Sequence, residues 1–319
     1  MSASTHIPYY RQIIELLVRA FSLLDEEGRA EVIGFVMAEQ NPDGGFKDRA
    51  GRSDLYYSLF GMMIFRAAEK AINDQQETGN GVKKANTIKN YAPGITSEQE
   101  EKGSDAEMIA DAIKRLKEFT KNKSAAKVPG FIERCCQVLL QKELRFKRFS
   151  RLKSFLSLGS SFWKERSSIN MSYRSFVLFL TIDAVLSVTG VIRRSARRML
   201  TGTTLDEQSP CSEVAAKVFM RKIMNQKDSV EEEILASFAC SSGGFKAFMH
   251  LYHPDMLSTA VALYALNHAG ADLRLLRPSC LDFIQSNYSG GAFLSGDGDT
   301  TADVEYTFYG LLALGVLAE

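Results

Sequence analysis

Gly243-Gly244-Phe245 and the apolar run Asp255-Met-Leu-Ser-Thr-Ala-Val-Ala-Leu-Tyr-Ala-Leu266 form a phrase that the chain writes three times. The other copies are Gly44-Gly45-Phe46 with Asp54-Leu-Tyr-Tyr-Ser-Leu-Phe-Gly-Met-Met-Ile-Phe65, and Gly290-Gly291-Ala292-Phe293 with Asp303-Val-Glu-Tyr-Thr-Phe-Tyr-Gly-Leu-Leu-Ala-Leu314. Phe245 and Phe293 are 48 residues apart, and 199 residues, close to four more periods, separate Phe46 from Phe245. A period of roughly 20–50 residues marks stacked supersecondary units, because each unit buries its apolar face only against its neighbours. The reading is a solenoid or closed ring of about six units, with the middle ones drifted.

Within a unit the local chemistry is explicit. Pro42 and the paired glycines end a helix spanning Arg29–Glu39 and make a turn. Asp54, Asp255 and Asp303 then stand where a carboxylate accepts from the free first-turn N–H groups of the next helix. One unit is therefore an αα-hairpin, and no run shows sustained strand alternation. Ile13, Leu16, Leu17, Ala20, Phe21 and Leu24 form one face of an earlier amphipathic helix. The Asp-capped helices are apolar, whereas Ala106–Phe119 carries charge around much of its surface, a contrast that suits two concentric layers. Residues 74–105 read as a polar surface insertion and Thr201–Pro210 as a second polar break. Residues 1–319 count as one domain, because the repeats on either side must close on each other.

Hydrophobic residues make up 45% and charged residues 24%, the balance of an ordinary globular protein. Lys+Arg is 39 against Asp+Glu 38, which leaves no general basic field for nucleic acid. Five cysteines without C-x-x-C spacing, and no charged start followed by an apolar core, lead to the expectation of a reducing, cytoplasmic setting. Phe176–Ile192, interrupted by Thr181, Asp183, Ser187, Thr189 and Gly190, falls short of the ~20 apolar residues of a span and reads as a buried helix.

Lys142–Lys153 interleaves six cations with Leu144, Phe146, Phe149 and Leu152. It reads either as a solvated helix face or as a surface for anionic lipid headgroups or a diphosphate, hence an expected peripheral membrane contact. Arg193, Arg194, Arg197 and Arg198 form a second cluster of the same ambiguity.

The stretch Gln40-Asn-Pro-Asp-Gly-Gly-Phe-Lys-Asp-Arg-Ala-Gly-Arg-Ser-Asp-Leu-Tyr-Tyr-Ser58 resembles the prenyltransferase and squalene-cyclase repeat, especially a segment of protein prenyltransferase β-subunits. Cys280-Leu-Asp-Phe-Ile-Gln-Ser-Asn-Tyr-Ser-Gly-Gly-Ala-Phe293 is similar to the repeat of the triterpene cyclases. The resemblance covers residues 30–66 and 235–319 well and implies an all-α fold. Specifically it implies an (α/α)6 toroid of about six helical hairpins in two concentric layers, around a cavity that in relatives holds an isoprenoid chain.

The same resemblance tests the chemistry. The family's zinc histidine would follow the Tyr of D-x-Y-H-T, where this chain has Tyr57 and Tyr306, and no Asp-x-Cys ligand pair is found at Met256–Val261. Tyrosine is a poor zinc ligand, so zinc is not expected, no other cofactor is read from the chain, and magnesium stays open. His250 and His253 are read as polar surface rather than a metal pair. Asp297-Gly-Asp-Thr-Thr-Ala302 resembles the cyclase acid motif, with Thr300 where its last Asp belongs. Asp297, Asp299, Asp303 and Glu305 are thus candidate acids, crowded carboxylates being able to shift one another's pKa; the competing reading is a polar turn leading to the Asp303 cap.

Lys47, Arg49, Arg52 and Lys246 are candidate headgroup ligands at a cavity mouth. Tyr56, Tyr57, Phe60, Tyr264, Tyr306 and Tyr309 are candidates for the cavity lining, where ring faces would meet an isoprenoid or a carbocation. Two functions follow. One is a prenyltransferase- or cyclase-like protein that binds an isoprenoid or other apolar small molecule and transfers or cyclises it. The other is a non-catalytic toroid for a lipid or a partner subunit.

Overall fold

A computed structural model describes residues 7–83, 105–125, 130–148, 151–152, 154–158, 171–186, 205–206, 208–226 and 230–318. The protein is mostly helical. Its helices include α1 (Tyr9–Leu23), α2 (Glu26–Ala38), α3 (Leu55–Lys83), α4 (Asp105–Ala125), α5 (Phe131–Glu143), α6 (Met171–Leu186), α7 (Cys211–Ile223), α8 (Val230–Ala236), α9 (Met256–Ala269), α10 (Arg277–Ser286) and α11 (Val304–Leu317). The strands are two-residue pairs, antiparallel, that close repeat turns: β1 (Phe46–Lys47) with β2 (Ser53–Asp54), and β3 (Tyr288–Ser289) with β4 (Ala292–Phe293).

The Asp caps form as the sequence reads. Asp54 Oδ1 accepts from Tyr56 N at 2.7 Å, Asp255 Oδ1 from Ser258 N at 2.8 Å, and Asp303 Oδ1 from Tyr306 N at 2.8 Å. A further device sits four residues after each cap. Phe46 N donates to Ser58 Oγ at 3.0 Å, Phe245 N to Thr259 Oγ1 at 2.9 Å and Phe293 N to Thr307 Oγ1 at 3.4 Å. Thr259 and Thr307 in turn donate to the Asp255 and Asp303 carbonyls, so one hydroxyl ties the turn to the first helical turn. The pattern Asp-x-x-x-Ser/Thr is present in all three copies and went unread in the sequence. In two copies the ring lies over a glycine, Phe46 over Gly61 and Phe293 over Gly310, where a Cβ would overlap it.

Helices α3, α5, α6, α7, α9 and α11 pack in chain order, each on the next, and α11 packs on α3. Helices α2, α4, α8 and α10 lie against this series: α4 touches α3 and α5, α8 touches α7 and α9, and α10 touches α11. The repeat turns dock on such helices. Gly243, at φ +92°, lies so close to the Ser279 carbonyl of α10 that any Cβ would overlap it. Gly291, at φ +84°, approaches the Glu31 carbonyl of α2 in the same way, and Tyr288 Oη donates to Glu31 Oε2 at 2.7 Å. The last repeat thereby rests on the first.

Helix α1 belongs to neither series, since it packs on α3, α6 and α11. Its first turn has no side-chain cap; instead Tyr9 N donates to the buried Asp183 Oδ2 of α6 at 2.6 Å. Tyr9 packs edge-on against Phe219 and His268, which carries α1 across α7 and α9.

Three expectations change. Helix α3 continues to Lys83, so the first part of 74–105 is helical; residues 84–104 lie outside the described residues. Helix α4 buries one stripe, Ile109, Ala112, Leu116 and Phe119, at helical spacing, so its charges occupy the remaining surface. Lys142–Lys153 is not one helix, because α5 ends at Glu143 and Arg145 adopts φ +54°. Within Phe176–Ile192, helix α6 accounts for residues up to Leu186; the rest, and Arg193, Arg194, Arg197 and Arg198, lie outside the described residues.

Candidate functional site: an aromatic cavity under a carboxylate rim

A cavity of about 120 Å³ lies where α3, α5, α6, α7, α9 and α11 meet, with Tyr10 and Ile13 of α1 in its wall. Each helix presents residues three or four apart, such as Tyr56, Leu59, Phe60 and Met63 of α3 and Phe308, Tyr309 and Leu312 of α11. The wall is almost wholly apolar. Phe60 packs on Phe308 at 4.5 Å between ring centroids, and Phe219 stacks on Tyr264 at 5.2 Å. The hydroxyls of Tyr10 and Tyr264 are buried without a hydrogen-bond partner.

Of the lining residues read from sequence, Tyr56, Phe60, Tyr264 and Tyr309 do face this cavity. Tyr57 and Tyr306 do not. The Tyr306 ring lies under the Arg49 guanidinium, 5.0 Å from its centroid, and Tyr57 sits half-buried beside Glu305. Tyr10, Tyr173 and Phe176 were missed, because α1 and α6 carry no copy of the repeat phrase; only their apolar spacing signals them.

The four carboxylates do not form one acid centre. Asp303 is fully engaged: Oδ1 caps α11 and Oδ2 accepts from Arg49 Nε at 2.9 Å. Asp299 is at the surface, accepting from Thr301 N at 2.9 Å and Arg49 Nη1 at 3.0 Å. Its hydrogen bond from Thr301, and then Arg49, hold its pKa below the usual carboxylate value, opposite to what a proton donor needs. Asp297 accepts from Ser295 Oγ and Asp299 N within its own turn. Glu305 alone reaches the cavity wall, accepting from Tyr56 Oη at 2.7 Å, and burial raises its pKa against that hydrogen bond.

The expected headgroup cations are spoken for as well. Lys47 pairs with Glu39 at 2.9 Å, Arg52 with Asp48 at 3.3 Å, and Lys246 Nζ donates to the Met249 carbonyl at 2.8 Å. None of these three lines the cavity; Arg49 instead clamps Asp299, Asp303 and Tyr306. Lys47, Arg49 and Arg52 each meet a carboxylate, which offsets the positive field a diphosphate would require, whereas Lys246 meets only a neutral backbone carbonyl.

Among the described residues no group of three or more His, Cys, Asp or Glu is placed to hold a metal. His250 and His253 are exposed in a loop. His268 stacks on Phe219 at 4.3 Å, and burial, aided by Lys222, pulls its pKa down to about 4, so at neutral pH it is an uncharged aromatic. The five cysteines are free thiols, and burial raises Cys136 and Cys211 well above the ordinary thiol range. No described helix is long and apolar enough to cross a membrane. No protein-family model matches the chain, and no curated protein matches it in sequence.

Proposed function

We propose that the chain is an (α/α)6 toroid of six helical hairpins in two concentric layers, and that it binds an isoprenoid or similar apolar chain in its central cavity without catalysing its transfer. The observation that carries this reading is the aromatic wall built by six successive helices, with the acids and cations outside it or paired with one another. The volume sets the scale: about 120 Å³ is close to the ~150 Å³ of an engineered apolar cavity that stays dry and takes up benzene. It suits the end of an apolar chain of isoprene-unit size.

Purified protein extracted with organic solvent and read by mass spectrometry is expected to yield a stoichiometric apolar metabolite. Ala216→Phe, which fills the cavity from α7, is expected to lose it while keeping the helical circular dichroism signal. Equal retention by Ala216→Phe would sink the assignment of the ligand to this cavity.

A cyclase-like reading rests on one specific observation, the Glu305–Tyr56 hydrogen bond at the wall. It expects turnover of a polyene that Glu305→Gln abolishes; a bound chain recovered unchanged from the wild type speaks against it. On this reading Glu305, not Asp299, is the proton donor.

A further inference from the structure

A second recess, of about 620 Å³, opens between α1, α3, the end of α5 and the segment that follows it. Among the described residues its lining is largely polar and holds six cations against four acids. Three cations are matched: Arg66 with Glu69 at 2.7 Å, Lys70 with Glu15, and Lys142 with Glu143 at 3.9 Å. Arg11, Arg145 and Arg151 have no acidic partner among the described residues, and Asp74 is the remaining acid. The surplus is two positive charges.

Two features of the backbone and burial sharpen this. Arg151 Nε is buried and has no hydrogen-bond partner, which is costly for a charged donor unless something is bound there. Arg145 occupies the left-handed region at φ +54°, a place at a helix end that glycine usually takes, so a bulky cation is held there against its backbone preference.

We propose that this cleft binds a phosphate monoester, with the guanidinium groups of Arg11, Arg145 and Arg151 as its ligands. The planar guanidinium fork matches phosphate oxygens, and the surplus of two charges matches the ≈ −1.5 to −2 of a phosphomonoester at neutral pH. The anion comes either from a soluble metabolite or from a lipid headgroup. For the latter, Leu152 and Leu156, 50% and 69% exposed beside Arg151, are placed to enter a bilayer interface. The site is independent of the ligand proposed for the aromatic cavity.

The test is titration calorimetry of the full chain with inorganic phosphate, at constant ionic strength against chloride. Arg145→Gly is the informative variant, because glycine suits the left-handed backbone and the protein must fold at least as well. Saturable phosphate binding is expected, weakened about tenfold or more by Arg145→Gly, as for a lost hydrogen bond to a charged group. Arg274→Gln, which removes an exposed pair with Asp272, is expected to leave it unchanged. Co-flotation with phosphatidate-containing vesicles, competed by phosphate and absent with phosphatidylcholine alone, assigns the lipid source; phosphate binding without flotation assigns the soluble one. No saturable phosphate binding, or binding that Arg145→Gly leaves intact, overturns the proposal.

Discussion

Arg49 shows how one side chain can convert a motif into structure. Its guanidinium reaches residues 250 and 254 positions away, Asp299 and Asp303, and covers the Tyr306 ring. The hydrogen bond from Thr301, and then Arg49, favour the ionised form of Asp299, whereas burial pushes Glu305, like Asp255, toward neutrality. The sign for stability follows. A carboxyl whose folded pKa is raised contributes most below its ordinary value, near 4.5, and loses that contribution as pH rises through the folded value. Glu305→Gln keeps an acceptor for Tyr56 and cannot ionise. Its melting temperature relative to wild type is therefore expected to climb as pH rises from about 4.5, then level off; a difference that is flat with pH would show that burial does not govern Glu305.

At the scale of the element, the repeat is a turn clipped to a helix by a hydroxyl. Thr259 is fully buried and serves both Phe245 N and the Asp255 carbonyl, so no water is available to replace it. Thr259→Val preserves shape and leaves the Phe245 N–H unpaired, at an expected cost of about 1–3 kcal/mol in urea unfolding. Thr301→Val, at an exposed position, is the control and is expected to cost far less. If both cost the same, the clip is not what holds the turn. The three Asp caps were legible because a cap is a local event, written within a few residues. The clip is equally local: Ser58, Thr259 and Thr307 each stand four residues after their Asp. The middle helices explain the limits of the pattern. Helix α5 begins after Gly130, whose N–H is met by Glu133 at 2.7 Å, and α7 begins after Pro210 with no side-chain cap, so neither preserves the phrase.

For the whole molecule, the junction between the last repeat and α2 can be tested directly. Gly290 and Gly291 offer an internal comparison. Both have positive φ, but a Cβ at Gly290 meets open space, whereas at Gly291 it overlaps the Glu31 carbonyl. Gly290→Ala should cost only the left-handed penalty, roughly 1–2 kcal/mol. Gly291→Ala adds a backbone clash that must push the last repeat off the first, and its thermal melt is expected to fall well below that of Gly290→Ala. Equal melts would mean that this junction contributes little to stability.

The sequence by itself determined the helical repeat, its glycine turns and its Asp caps, because each depends on backbone conformation and hydrogen bonds a few residues apart. It also located four of the lining aromatics, since helical spacing fixes which residues share a face. Only the tertiary structure decided what the charged loop residues do and what completes the cavity. Tyr56 meets Glu305 across 249 residues, and Tyr10 enters the wall because Asp183 anchors the start of α1. Such pairings depend on how distant helices are brought together, and no local spacing encodes them. That is why Asp299 and Arg49, read as acid and headgroup ligand, are instead partners in an ion pair, and why the unpaired arginines lie at α1 and beyond α5.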